Sequence, residues 1–120
     1  MDKAELERCS KAFALRVIRF VSTWPKSKVA DVLSYQLLRS ATSIGANYRE
    51  ANRAQSRNDF IHKIALVEKE TAETHYWLEL SQESALGPVS EQYGLLQEAN
   101  ELLVIFTRIG KTAKARTRTP

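Results

Sequence analysis

Residues 36–78 read QLLRSATSIGANYREANRAQSRNDFIHKIALVEKETAETHYWL. The stretch predicts two helices joined by a tight turn near Ser56. Its polar residues are spaced as regularly as its apolar ones. Arg39, Ser43, Asn47 and Glu50 follow at intervals of four, four and three, which puts all four on one stripe of a helix. Beyond the turn, Lys63, Glu70, Glu73 and Trp77 fall on a second stripe. Antiparallel packing about residue 56 sets Arg39 beside Glu73 and Glu50 beside Lys63, so both facing pairs have opposite charge. Two readings are open. The charges line a solvated face, or Arg39, Ser43, Asn47, Glu50, Lys63, Glu70 and Glu73 form a polar seam that fixes helix register. A seam contributes specificity more than stability, because desolvation offsets much of the Coulomb gain.

Helices are predicted on both sides of this pair. Helix 1 is expected over 3–23, with Asp2 as N-cap and Glu5 completing a capping-box-like pair. Leu6, Phe13, Val17, Phe20, Val21 and Trp24 share one apolar sector, opposite Arg8, Lys11, Arg16 and Arg19. Pro25 ends the helix. Helix 2 is expected over 28–54 after Ser27, with Val29, Val32, Leu33, Leu37, Ile44, Tyr48 and Ala51 as its apolar face. Gly45 costs about 1 kcal/mol against alanine in mid-helix, so it is expected to permit close helix approach. Arg49, Arg53 and Arg57 then form one basic ridge in i, i+4, i+8 register. Helix 3 is expected over 58–85, opened by the Ser56-x-x-Asp59 capping signature and closed by Gly87-Pro88. Ile61, Ile64, Ala65, Ala72, Tyr76 and Leu80 are its expected core stripe. Helix 4 is expected over 90–110. Its run Leu102–Phe106, LLVIF, is apolar all round, so it is either deeply buried or buries a face against another subunit. Four helices with short connections predict an all-α fold, an antiparallel up-down-up-down four-helix bundle over residues 1–110. Residues 111–120 are expected to be a basic flexible tail.

Composition agrees. With 120 residues, four glycines and three prolines, the chain fits one helical domain with a real core. No apolar run reaches the roughly 18 residues of a membrane span, and the polar start MDKAELER is not a signal peptide. The single cysteine, Cys9, cannot form an internal disulfide, which fits a reducing cytoplasm. It is expected at the edge of the core rather than as a nucleophile. His62 and His75 are 13 apart, not at the i, i+3 or i, i+4 spacing of a helical metal pair. There is no Glu-x-x-His, so a di-iron carboxylate bundle is not indicated. Phosphate-binding glycine loops and Ser/His/Asp or Cys/His sets are also missing. The expectation is a non-enzyme without cofactor, catalytic residues or metal site.

The charge is uneven. Residues 1–110 hold 14 basic and 14 acidic side chains, and the last ten, KTAKARTRTP, hold four basic and no acidic ones. In the expected bundle, the start of helix 1, the helix 2–3 turn and the end of helix 4 share one end. Residues 1–13, 41–69 and 102–120 carry thirteen basic against six acidic side chains, and the remainder five against eight. A polarised basic face is the electrostatic footprint of a nucleic-acid binder. Arg49, Arg53, Arg57, Lys111, Lys114, Arg116 and Arg118 are the expected contacts. No aromatic residue is interleaved among them as a stacking platform.

The run Gln36-Leu37-Leu38-Arg39-Ser40-Ala41, with Ser43-Ile44, Asn47, Glu50-Ala51, Ser56, Asp59-Phe60 and Lys63, has a familiar pattern. With Glu70, Glu73-Thr74 and Tyr76-Trp77-Leu78, it resembles the small bacterial four-helix proteins that include the 23S ribosomal RNA intervening-sequence proteins. Accessory variability determinant proteins of diversity-generating retroelements share the pattern. The resemblance covers essentially the whole chain and implies an antiparallel bundle that assembles as a homopentamer. It implies no defined role for intervening-sequence members, and for retroelement members binding to RNA and a reverse transcriptase. The expectation is an oligomeric helical bundle that binds structured RNA through its basic end. The rival is a protein-interaction scaffold or adaptor, for example for a reverse transcriptase, with no RNA binding of its own.

Overall fold

Ser27 and Ser56 sit in extended backbone, and their side-chain oxygens accept from the amides of Ala30 at 3.0 Å and Asp59 at 3.1 Å. Asp2 caps Glu5 in the same way at 2.8 Å. Each satisfies an amide that the first helical turn leaves unpaired. These caps open three of four helices in a computed structural model that describes residues 1–118. The helices are α1 (Lys3–Val21), α2 (Lys28–Ala51), α3 (Arg57–Glu83) and α4 (Val89–Arg118). α2 packs on α1 and α3, α3 packs on α4, and a thinner α1–α4 contact closes the ring. The result is the all-α four-helix bundle, a rod of 54 × 22 × 21 Å.

The core is a column of side chains that all four helices present at helical spacing. Phe13, Val17, Phe20, Leu37, Ile44, Leu95 and Phe106 are essentially sealed from solvent. Burying a side chain of this size contributes about 1.5–3 kcal/mol. The expected α1 stripe is found. Leu6, Phe13, Val17, Phe20 and Trp24 are buried, and Val21 packs against them. Gly45 permits close approach, as its cost suggested. A Cβ there would stand 3.3 Å from Ser10 Oγ, a hydroxyl already donated to the Leu6 carbonyl.

Several expectations are corrected. Val29 and Val32 are more than half exposed, because Ala30 and Leu33 take the buried face at the start of α2. The core stripe of α3 is Ile64, Val67, Thr71, Thr74, Leu78 and Ser81. Ala65, Ala72 and Tyr76 face outward. Hydroxyls occupy the core face here because each finds a backbone acceptor one turn back. Thr71 donates to the Val67 carbonyl at 2.7 Å and Ser81 to that of Leu78 at 2.8 Å. Apolar periodicity therefore points the wrong way on this helix.

The third correction concerns the end of α4. The helix does not stop near Gly110 but continues to Arg118. Ala, Lys and Arg are strong helix formers, and Ala113 is buried at 5 % exposure. Lys111, Lys114 and Arg116 thus stand on a helix. Residues 119–120 lie outside the described residues. Among the described residues, no helix is long and apolar enough to cross a membrane. The LLVIF run divides: Leu102 and Phe106 are buried, Leu103 and Ile105 half-buried, and Val104 43 % exposed.

Candidate nucleic-acid interface

The antiparallel order gathers the start of α1, the α2–α3 turn and the far turns of α4 at one end. An open cavity of about 470 Å³ lies there, lined by Lys3 of α1, Arg57 and Phe60 of α3, and Arg108, Ile109 and Arg116 of α4. Arg108, Thr112 and Arg116 recur every four residues, so the extended α4 supplies one wall as a single helical stripe. Ser56 fixes the start of α3 and so places Arg57 and Phe60 opposite that wall. Phe60 and Ile109 are half-buried and pack against the core, giving the cavity an apolar floor. None of Lys3, Arg57, Arg108 and Arg116 has an acidic partner within ion-pair distance among the described residues.

The cavity near the other end of α1 shows the contrast. It measures about 600 Å³ and includes Arg16, Phe20, Pro88 and Glu91. Its Arg16 is engaged by Glu91 at 2.7 Å and Glu98 at 2.9 Å, and these hydrogen-bonded carboxylates raise the guanidinium pKa. That arginine ties α1 to α4 across the thin contact. It is not available to a ligand in the way that Arg57 and Arg108 are.

The expected basic ridge is not continuous. α2 ends at Ala51, so Arg53 stands in the turn and Arg57 opens α3. Arg49 is drawn toward Glu7 of α1, with Nε 3.7 Å from Oε1, and Asn52 donates to the same carboxylate at 2.9 Å. Only Arg57 of the three lines the cleft. Arg53, Lys111 and Lys114 are exposed nearby on the surface, and Arg116 lines the wall. The Arg118 backbone is helical. Lys3 and Arg108 were counted at this end from sequence but not singled out. The eight-residue spacing of Arg108 and Arg116 was the signal for Arg108. The expectation of no interleaved aromatic is corrected too, since Phe60 lies among these cations.

The proposed polar seam is partly assembled. Arg39 donates to Gln36 at 3.3 Å, to Glu70 at 3.4 Å and, by a short contact, to Glu73. Glu73 is the facing carboxylate the antiparallel register requires, and hydrogen bonding to it raises the Arg39 pKa. The side chain stays 39 % exposed, so the cluster is a surface groove and not a buried charge. Ser43 donates only to the Arg39 carbonyl, at 2.6 Å. Lys63 pairs with Asp59 of its own helix at 3.4 Å rather than with Glu50, which is exposed. An i,i+4 partner is already in reach, whereas Glu50 sits in the last turn of α2 and points to water. Asn47 is half-buried and makes no side-chain hydrogen bond across the helix pair among the described residues. His75 contacts Glu79 at 3.1 Å, Cys9 is a free half-buried thiol, and no group of three or more potential metal ligands occurs among the described residues.

Comparison with known proteins agrees with this architecture. The family model described as 23S rRNA-intervening sequence protein matches residues 3–108. A crystal structure at 1.70 Å of a protein with unknown function, from the S23 ribosomal protein family and from Bacteroides thetaiotaomicron, superposes with a TM-score of 0.84. The two sequences are 36% identical, and the match covers 92% of this chain and 99% of that one. No curated protein matches.

Proposed function

The chain belongs to the 23S rRNA-intervening sequence protein family, and on that premise we propose that it is a non-enzymatic, homo-oligomeric bundle that binds structured RNA through its basic end. The observation that carries this reading is the group of four cations, Lys3, Arg57, Arg108 and Arg116, held around one cleft without acidic partners among the described residues. Cations kept apart from carboxylates are free to neutralise phosphates and release counterions. Arg53, Lys111 and Lys114 extend the surface along which an RNA backbone would run. The cytoplasm is the compartment we assign, in keeping with the unpaired Cys9.

Affinity for a folded ribosomal RNA fragment, measured against salt, tests the proposal. Log affinity should fall steeply with log salt, each phosphate contact contributing a slope of roughly 0.7–0.9. The double variant Arg57→Gln, Arg108→Gln should bind more weakly and with a shallower slope. Lys26→Gln, Lys28→Gln, at the junction of α1 and α2 at the opposite end, should bind as the parent does. Equal binding by all three proteins would remove the basic end from the account.

A second reading, a scaffold that presents surfaces to a protein, is favoured by one observation. Tyr35 and Val32 on α2, Tyr76 on α3, and Val89 and Tyr93 on α4 are all more than half exposed. Val89, Tyr93 and Val104 fall within a sector of roughly 60° on α4. We assign such faces to contacts between copies of the chain, with the pentamer implied by the family resemblance as the assembly. Kinship with retroelement accessory proteins belongs to the same reading and would make a reverse transcriptase the partner. Light scattering at micromolar protein should give about five times the chain mass of 13.6 kDa. A monomer mass would contradict the assembly.

A further inference from the structure

We infer that the cleft at the basic end receives a single unpaired nucleotide of the bound RNA, its base against Phe60 and its phosphates against Lys3, Arg57, Arg108 and Arg116. The inference rests on the RNA-binding reading and names the feature of the RNA that this site selects. A surface that tracks duplex phosphates needs neither a concavity nor an apolar floor. This site has both. Its volume, about 470 Å³, lies within the roughly 300–1,000 Å³ range of small-molecule sites. Phe60 and Ile109 are half-buried and anchored to the core, so the floor is rigid and keeps an apolar face toward the opening. A base offers the complementary flat surface, and an aromatic ring accepts any base because each has a π-face. The cations come from three different helices. They therefore surround the cavity instead of forming a line, which suits a phosphate on each side of one extruded nucleotide. A paired base in an A-form helix cannot enter, because its ring is stacked and its edges face narrow or shallow grooves.

The test uses three RNA hairpins of equal length and charge with the full-length protein. One is fully paired, one carries a single-nucleotide bulge, and one ends in a short single-stranded 3′ overhang. The bulged or overhanging base is 2-aminopurine, whose fluorescence reports stacking. The bulged and overhang RNAs should bind about tenfold more tightly than the paired one, with quenching of the probe. Phe60→Leu should bring that ratio near one. Because Phe60 also touches the core, Arg108→Gln supplies a second variant at an exposed position, and it too should shrink the ratio. Salt-sensitive binding with no preference for an unpaired base would overturn the inference while leaving RNA binding intact. Absence of binding by all three RNAs would overturn the RNA reading and this one together. Saturable binding of adenosine 5′-monophosphate without a preference among the hairpins would also overturn it, and would assign the cleft to a free nucleotide.

Discussion

Arg39 reaches Glu70 and Glu73 across the α2–α3 groove and Gln36 on its own helix, while Arg53, fourteen residues on, stands in the turn without an ion-pair partner among the described residues. Arg39→Ala should therefore lower the melting temperature more than Arg53→Ala. Equal melting temperatures would mean that the Arg39 cluster is ordinary solvated charge. A second test at this scale lies in the core. The Thr74 hydroxyl sits 2.9 Å from Ser40 Oγ and 2.8 Å from the Glu70 carbonyl, and both Thr74 and Ser40 are fully buried. Thr74→Val keeps the shape but deletes the cross-helix bond. It should cost about 1 kcal/mol, read from denaturant unfolding. An unchanged midpoint would show that Ser40 is satisfied by the Leu37 carbonyl alone. The Arg39–Glu73 pairing was legible in the sequence because charge spacing and register agree there. Thr71, Thr74 and Ser81 were not legible as core, because their burial depends on acceptors supplied by the helix backbone rather than on their own hydropathy.

Among the elements, α3 closes in a way that a side-chain pattern hides. The Leu86 amide donates to the Ser81 carbonyl at 2.9 Å and that of Ala85 to Gln82 at 3.0 Å. This pair of bonds is the Schellman arrangement, which places Ala85 in the left-handed region at φ 55°. Alanine pays for that conformation where glycine does not. Ala85→Gly should therefore stabilise the protein by about 0.5–1 kcal/mol, and a lower melting temperature would refute this account of the turn. Gly87 follows at φ 79°, and a Cβ there would approach Trp24 Nε1 to 2.9 Å and overlap the Phe20 ring. The Gly87-Pro88 break was readable, but its role as the seat for the rings of Phe20 in α1 and Trp24 just beyond it was not. The end of α4 shows the opposite limit. Gly110 reads as a stop, yet it is buried beside Ile64 and Glu68, where its lack of a side chain lets α4 pack against α3. The same close packing carries α4 onward and sets Arg116 over the start of α3.

At the scale of the whole molecule, helix order converts a neutral body into a polarised rod. The charge imbalance was readable once an up-down-up-down order was assumed, since it needs only residue numbers. The cleft was not readable, because Lys3, Phe60 and Arg108 are far apart in sequence and each looks like ordinary helix surface. Only the continued α4 brings its wall opposite Arg57. The central claim is that RNA seats on this end of the rod. Amide hydrogen exchange with and without a structured RNA tests it most directly. The account predicts slowed exchange at the start of α1, the first turns of α3 and residues 105–116, with no change from residue 22 to 28 or from 84 to 90. Protection confined to those opposite-end turns, or none at saturating RNA, would contradict it.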